Sequence, residues 1–133
     1  MAALDGGFGA VAFASGTAAI MGLIMTVCET GDEIVAANNL YGGTIGSLSG
    51  TMAGMGFKTH FINPTDLEAL KAAINDKTKI IFVESVGNPN GDMLDFEAIS
   101  AIAKEYQILF VVDNTTPTPY LFKPIEYGAD LVV

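Results

Sequence analysis

ILFVVDNTTPTPY, residues 108–120, is the stretch whose reading decides the fold. Residues 108–112 form an unbroken apolar run rich in Val and Ile, which suits a strand buried on both faces. The run stops at Asp113 and Asn114 and passes into a Thr/Pro loop. A carboxylate at the end of such a strand is costly unless something cationic meets it. Taken alone, Asp-Asn after a strand is more often an Asx-turn than a catalytic group. A second apolar run, KIIFV at 79–83, also ends at an acid, Glu84, and that repetition lifts the functional reading of Asp113.

Working outward, short apolar runs alternate with helical stretches. Strands are expected at 11–14, 33–37, 58–62, 79–83, 108–112 and 131–133. Helices are expected at 18–27 behind the cap Ser15, from Thr44 or Ser47 to about Gly54, after Asp66, and after Asp95. The last two bury Leu67, Leu70, Ala73 and Ile74, and Phe96, Ile99, Ile102 and Ala103. Residues 38–44 read as a loop because Asn and Gly cluster there. This alternation predicts an α/β fold with a mostly parallel sheet flanked by helices. Ligands of open parallel sheets bind beyond the carboxyl ends of the strands, so 15–17, 38–44, 84–89 and 113–116 should gather at one edge.

Composition narrows the function classes. The 133 residues suit one domain, and half of them are hydrophobic, enough for a substantial core. With 15 acidic residues against 6 lysines and no arginine, the net charge of −9 argues against nucleic acid or an anionic membrane as partner. No apolar run is long enough for a transmembrane helix and no signal peptide opens the chain. The single Cys28 has no internal disulfide partner, which fits a reducing, cytoplasmic setting. The chain ends on the apolar Leu131, Val132 and Val133, so it reads as a single partial domain, 1–133, cut at its C-terminal end.

Several motifs have ordinary readings. Residues 7–12, GFGAVA, fit G-x-G-x-x-A, but a dinucleotide fingerprint follows a strand and opens a helix, and this one precedes the expected strand. A turn between helix and strand explains it. Ser15, Gly16 and Thr17 place free N–H groups at a helix start, as phosphate sites do, yet a capped helix alone would look the same. His60 is a lone histidine in a strand and reads as structural, and Cys28 as a small buried hydrophobe. Tyr41, in a loop at the strand edge, could equally stack on a planar ligand or cover the sheet.

ASGTAAI (14–20), GDEIVAANNLYGGT (31–44), FVESVGNP (82–89) and VVDNTTPTPYLFKPIEYGADLVV (111–133) together resemble the transsulfuration group of fold type I pyridoxal-phosphate enzymes, those of cysteine and methionine metabolism. The LYGGT and PYLFKPIEYGAD segments are most similar to O-acetylhomoserine sulfhydrylases. The resemblance spans essentially the whole chain and implies the core of the large, cofactor-binding domain. It implies pyridoxal 5'-phosphate as cofactor and an amino acid as substrate. Asp113 matches the family's partner of the protonated pyridine nitrogen, and Gly16 and Thr17, behind Ser15, the backbone donors to the cofactor phosphate. Tyr41 matches the ring stacked on the pyridine, Asn88 the asparagine near the phenolic oxygen, and Thr115 a residue beside the ring; Glu84 matches a strand-end acid of structural role.

The departures also carry expectations. The family reads S-G-M or S-G-Q where this chain has Ser15-Gly16-Thr17, and many relatives carry a larger residue at Thr116. The family's Schiff-base lysine lies in an S-x-T-K motif beyond the segment ending at Val133, and none of the six lysines (58, 71, 77, 79, 104, 123) occupies it. The arginines that hold the substrate carboxylate and complete the phosphate site, one from a neighbouring subunit, are absent too, so the resemblance implies at least a homodimer and an inactive isolated chain. Alternatives are a methionine γ-lyase or a cystathionine γ-synthase or γ-lyase activity, a truncated paralogue serving as a binding or scaffold module, and, on the G-x-G-x-x-A match alone, a nucleotide-binding oxidoreductase domain.

Overall fold

The structure, a computed structural model, describes residues 1–87 and 91–133. Five strands form one sheet in the order β2-β1-β3-β4-β5: β1 (Glu33–Ala37), β2 (Lys58–Ile62), β3 (Thr78–Glu84), β4 (Leu109–Asp113) and β5 (Leu131–Val132). Every pairing is parallel. All of β1 is buried and all of β3 but Lys79, as expected of central strands covered on both faces. The edge strand β2 is only partly covered. The expected mostly parallel sheet flanked by helices is therefore what the chain forms.

The helices follow from their caps and apolar faces. In α2 (Gly16–Val27), Ser15 Oγ accepts the Ala18 N–H at 3.1 Å. Asp66 caps α4 (Leu67–Ala73) and Asp95 caps α5 (Phe96–Tyr106), each carboxylate accepting an N–H at 2.9 Å. Such caps contribute about 0.5–2 kcal/mol each. The face of α5 carrying Phe96, Ile99, Ile102 and Ala103 is buried, and the helix packs on β4. Phe96 lies 4.8 Å from Phe122, and Phe122 5.0 Å from Tyr127, ring centre to ring centre. This aromatic row fastens the segment after β4 to α5. That segment holds two short pieces, α6 (Thr118–Leu121) and a 3-10 turn at Pro124–Tyr127.

Two expectations are corrected. Residues 11–14 are not a strand: they are exposed, with Val11 80% and Phe13 48% accessible, and no strand pairs with them. An apolar run becomes a strand only where a neighbour takes its backbone hydrogen bonds. GFGAVA accordingly follows the short α1 (Ala2–Asp5) and leads into exposed chain rather than into a strand. Second, α3 (Gly42–Gly46) begins inside the expected loop and runs on into a π-helical segment, Ser47–Met52. Ser47 and Ser49 donate their hydroxyls back to Gly43 O and Ile45 O, at 2.9 and 2.7 Å, a contact that distorts helices.

At the amino ends of the strands, Glu33 is buried and accepts from Asn75 Nδ2 at 2.7 Å. It meets His60 Nε2 at 2.5 Å and Lys58 Nζ at 3.6 Å, which accounts for His60 as a structural residue. The hydrogen bonds from Asn75 and His60, with the Lys58 charge, hold its carboxyl at about 2, below the ordinary 4.5, against the opposing effect of burial. A carboxyl harder to protonate when folded stabilises the fold above its unfolded pKa, and that contribution drains as pH falls from about 4.5 through about 2. In thermal melts across pH, Glu33→Gln should lower the midpoint near neutrality and lose that difference from wild type by about pH 2.

Candidate functional site

The β3–β4 register sets Glu84 beside Asp113 at the carboxyl ends of both strands. One more rung follows: Ser85 donates its N–H to Asp113 O at 2.9 Å and its hydroxyl to the same oxygen at 3.1 Å. Asp113 is half-buried, more open than a carboxylate sealed inside a strand would be. Thr115 turns back on it, donating its N–H at 3.0 Å and its hydroxyl at 2.5 Å, both to Oδ1. Among the described residues no hydrogen bond takes Oδ2, so the carboxylate is oriented with one oxygen available. An oriented, partly dry carboxylate suits a cationic ligand atom.

Glu84 is 7% exposed. Burial pushes its carboxyl above the ordinary 4.5, against a hydrogen bond from the Tyr41 backbone, and the neighbouring Asp113 charge adds to the rise. That bond, Tyr41 N–H to Glu84 Oε1, is 2.6 Å long. It draws the loop after β1 across to β3, and with it Tyr41, a residue 58% exposed. Gly43 makes room for that ring: a Cβ there would collide with the ring edge. Neither the Glu84–Tyr41 bond nor this allowance at Gly43 leaves a signal in a single sequence.

Asn114 is missing from the sequence reading as a site residue, yet it ties the edge together. It is 3% exposed, and its Nδ2 donates to Phe122 O at 2.8 Å. Its backbone N–H reaches Val133 O at 2.8 Å and its carbonyl accepts from Thr118 N at 3.0 Å. The loop that carries Thr115 is thus closed at both ends. Its Oδ1 is buried without a partner among the described residues.

Of the expected site residues, Tyr41, Asp113 and Thr115 come together with Glu84 at this edge. Asn88 lies outside the described residues. Ser15, Gly16 and Thr17 are exposed at the start of α2, which packs against the π-helical segment continuing α3. With 11–14 outside the sheet they are not a strand-end loop as expected, and among the described residues no hydrogen bond joins them to the edge. Ser15 occupies the Ala18 and Ala19 N–H groups, and the Gly16 and Thr17 N–H groups take no acceptor among the described residues. Free N–H groups at the positive end of a twelve-residue helix fit an anion such as a phosphate. Cation, ring and anion contacts are each provided for, so the residues present fit a phosphorylated, planar, cationic cofactor.

Comparison with known proteins gives the same direction. The model of the family described as Cys/Met metabolism PLP-dependent enzyme matches residues 1–133. An O-acetyl-L-homoserine sulfhydrylase of Leptospira meyeri is 47% identical over all of this chain, which covers 30% of that protein. An L-methionine gamma-lyase of Pseudomonas putida is 43% identical over all of this chain, which covers 33% of it. The crystal structure of cystathionine gamma-lyase from Lactobacillus plantarum complexed with L-serine superposes with a TM-score of 0.94 at 36% identity, over 98% of this chain and 34% of that one. The chain spans about a third of the length of these relatives.

Gly43→Ala separates stability from ring placement. Alanine favours a helix over glycine by about 0.5–1 kcal/mol, so the thermal midpoint should hold or rise. A crystal structure of the variant should nevertheless show the Tyr41 ring turned from its position, because the added Cβ cannot share that space.

Proposed function

The chain belongs to the Cys/Met metabolism PLP-dependent enzymes, and from that premise we propose that it forms the cofactor-binding core of an O-acetylhomoserine sulfhydrylase. The reaction replaces acetate by sulfide or a thiol: the Cγ–O bond of O-acetylhomoserine breaks, a Cγ–S bond forms, and acetate leaves. The observation that carries the reading is Asp113, oriented by two hydrogen bonds from Thr115 with its other oxygen available at the edge that Tyr41 overhangs. The 47% identity to the Leptospira sulfhydrylase supports the choice of reaction. The 43% identity to a methionine gamma-lyase supports a second reading, γ-elimination with release of an α-keto acid and ammonia.

Pyridoxal phosphate, when bound, supplies an electron sink for negative charge developing on an amino-acid substrate. This chain's residues hold and tune it. Asp113 keeps a proton on the pyridine nitrogen, since a carboxylate beside it favours the charged form. Thr115 keeps Asp113 facing that atom. Tyr41 covers one face of the ring, and the N–H groups of Gly16 and Thr17, behind the Ser15 cap, take the phosphate. Asn88 is assigned to the phenolic oxygen by resemblance alone. Glu84 faces the same edge but is engaged by the Tyr41 backbone.

The covalent anchor is assigned to a lysine outside these residues. Lys58 starts β2, Lys77 precedes β3 and Lys79 lies near its start, all at the amino ends of strands, opposite the site. Lys71 and Lys104 close α4 and α5 on their last turns, and Lys123 reaches Glu126 at 3.7 Å. With no arginine in the chain, the cations for phosphate and substrate carboxylate come from elsewhere in the protein or from a second copy. By the family resemblance we infer that the full-length protein forms a homodimer or homotetramer and works in the cytoplasm. Among the described residues no helix is long and apolar enough to cross a membrane.

Two outcomes test this reading. The purified full-length protein should form homocysteine from O-acetylhomoserine and sulfide faster than it releases α-keto acid from methionine, whereas the 133-residue chain alone should turn over neither. In the full-length protein, Asp113→Asn keeps the shape and loses the charge. Removing one partner of a close charge pair costs about 2–5 kcal/mol, so turnover should fall on the order of a hundredfold, and wild-type turnover in that variant would exclude Asp113 as the counter-ion.

A further inference from the structure

Glu84 is an expensive residue where it stands. It is 7% exposed, ends a central strand, and lies in register with a second carboxylate, Asp113. Burying an acid beside another acid is unfavourable on both counts. A strand end needing only an apolar plug would be served better by leucine or methionine. Among the described residues, what offsets the cost is one contact, the 2.6 Å bond from the Tyr41 backbone N–H to Oε1. Among the described residues no other acceptor meets that N–H.

The geometry of the bond matters more than its strength. Tyr41 stands before the first residue of α3, where its own side chain makes no capping bond and its ring projects into solvent. Its own helix holds the Tyr41 carbonyl, which accepts the Thr44 and Ile45 N–H groups at 2.9 and 3.1 Å, but leaves the Tyr41 N–H to be held from elsewhere. Glu84 holds it from the neighbouring strand, because β3 lies between β1, which leads to Tyr41, and β4, which ends in Asp113. Gly43, having no Cβ, leaves room for the ring edge beside it.

We propose that Glu84 is a positioning residue that sets the spacing between the Tyr41 ring and the Asp113 carboxylate, and so the fit of a planar cationic ring between them. The inference rests on the cofactor reading above and adds to it a residue that touches no ligand. It predicts a particular pattern: loss of the acceptor loosens cofactor binding without loosening the fold.

The test uses the full-length apoprotein, pyridoxal phosphate as probe, and titrations followed by cofactor absorbance, with thermal midpoints of the apo forms alongside. Glu84→Met keeps the volume and removes the acceptor; relief of a buried acid standing beside Asp113 offsets the hydrogen bond lost by the Tyr41 N–H, so the fold should hold. Affinity should fall roughly tenfold, the effect of losing one hydrogen bond to a charged acceptor. Glu84→Gln, which still accepts the N–H, should stay within about threefold of wild type. In a Tyr41→Ala background Glu84→Met should cost nothing further, since the two residues then act through one interaction. Unchanged affinity in Glu84→Met, an equal loss in Glu84→Gln, or an undiminished loss in the Tyr41→Ala background would each overturn the proposal while leaving the cofactor reading intact. Wild-type protein that takes up no pyridoxal phosphate would overturn both.

Discussion

The parallel pairing of β3 with β4 is the constraint on which the rest depends. Parallel strands share a direction, so both end at the same edge, and the register brings their last residues, Glu84 and Asp113, side by side. The strands approach that edge through apolar runs, residues 80–83 and 109–112, and Phe82 and Phe110 are fully buried within them. A slip of one residue would turn every side chain of a strand to the opposite face, so the packing of these rings also fixes where the acids stand. The site thus inherits its precision from the core rather than from the loops.

What the loops add is orientation. Thr115 turns Asp113, Glu84 holds the Tyr41 backbone, and Asn114 closes the segment that returns through Phe122 to α5. The Glu84–Tyr41 contact joins two elements of the fold, and the other two fix the loop that follows β4. A planar ligand entering this edge meets groups already aligned, and little ordering remains to be done on binding. The free N–H groups at the start of α2 are a separate provision, joined to this edge through the packing of α2 on the segment that continues α3.

Much of this architecture could be read from residues alone, because four of the five strands that form are largely apolar runs, the fifth, 58–62, alternates weakly, and the caps Ser15, Asp66 and Asp95 announce their helices. The sixth expectation, 11–14, failed for want of a partner strand, which no local pattern reports. Gly42 and Gly43 looked like loop formers, and tertiary packing made them the first turn of α3. At the candidate site, Asp113 and Tyr41 stood out by residue type beyond strands without a settled role, and Thr115 entered through the family resemblance alone. The Glu84–Tyr41 bond joins residues 43 positions apart and the Asn114–Phe122 bond joins two loop positions, so neither could be inferred before the sheet order was known.

The polar cluster around Glu33 gives the sheet a second character. It sits at the amino end of β1, whereas the loop to Tyr41 leaves from the carboxyl end, and five residues of strand put roughly 15 Å between them. The carboxyl whose protonation weakens the fold in acid and the candidate site therefore lie at opposite ends of the same strand. A lineage moving into an acidic habitat, or an engineer pursuing one, has a place to adjust the first without disturbing the second.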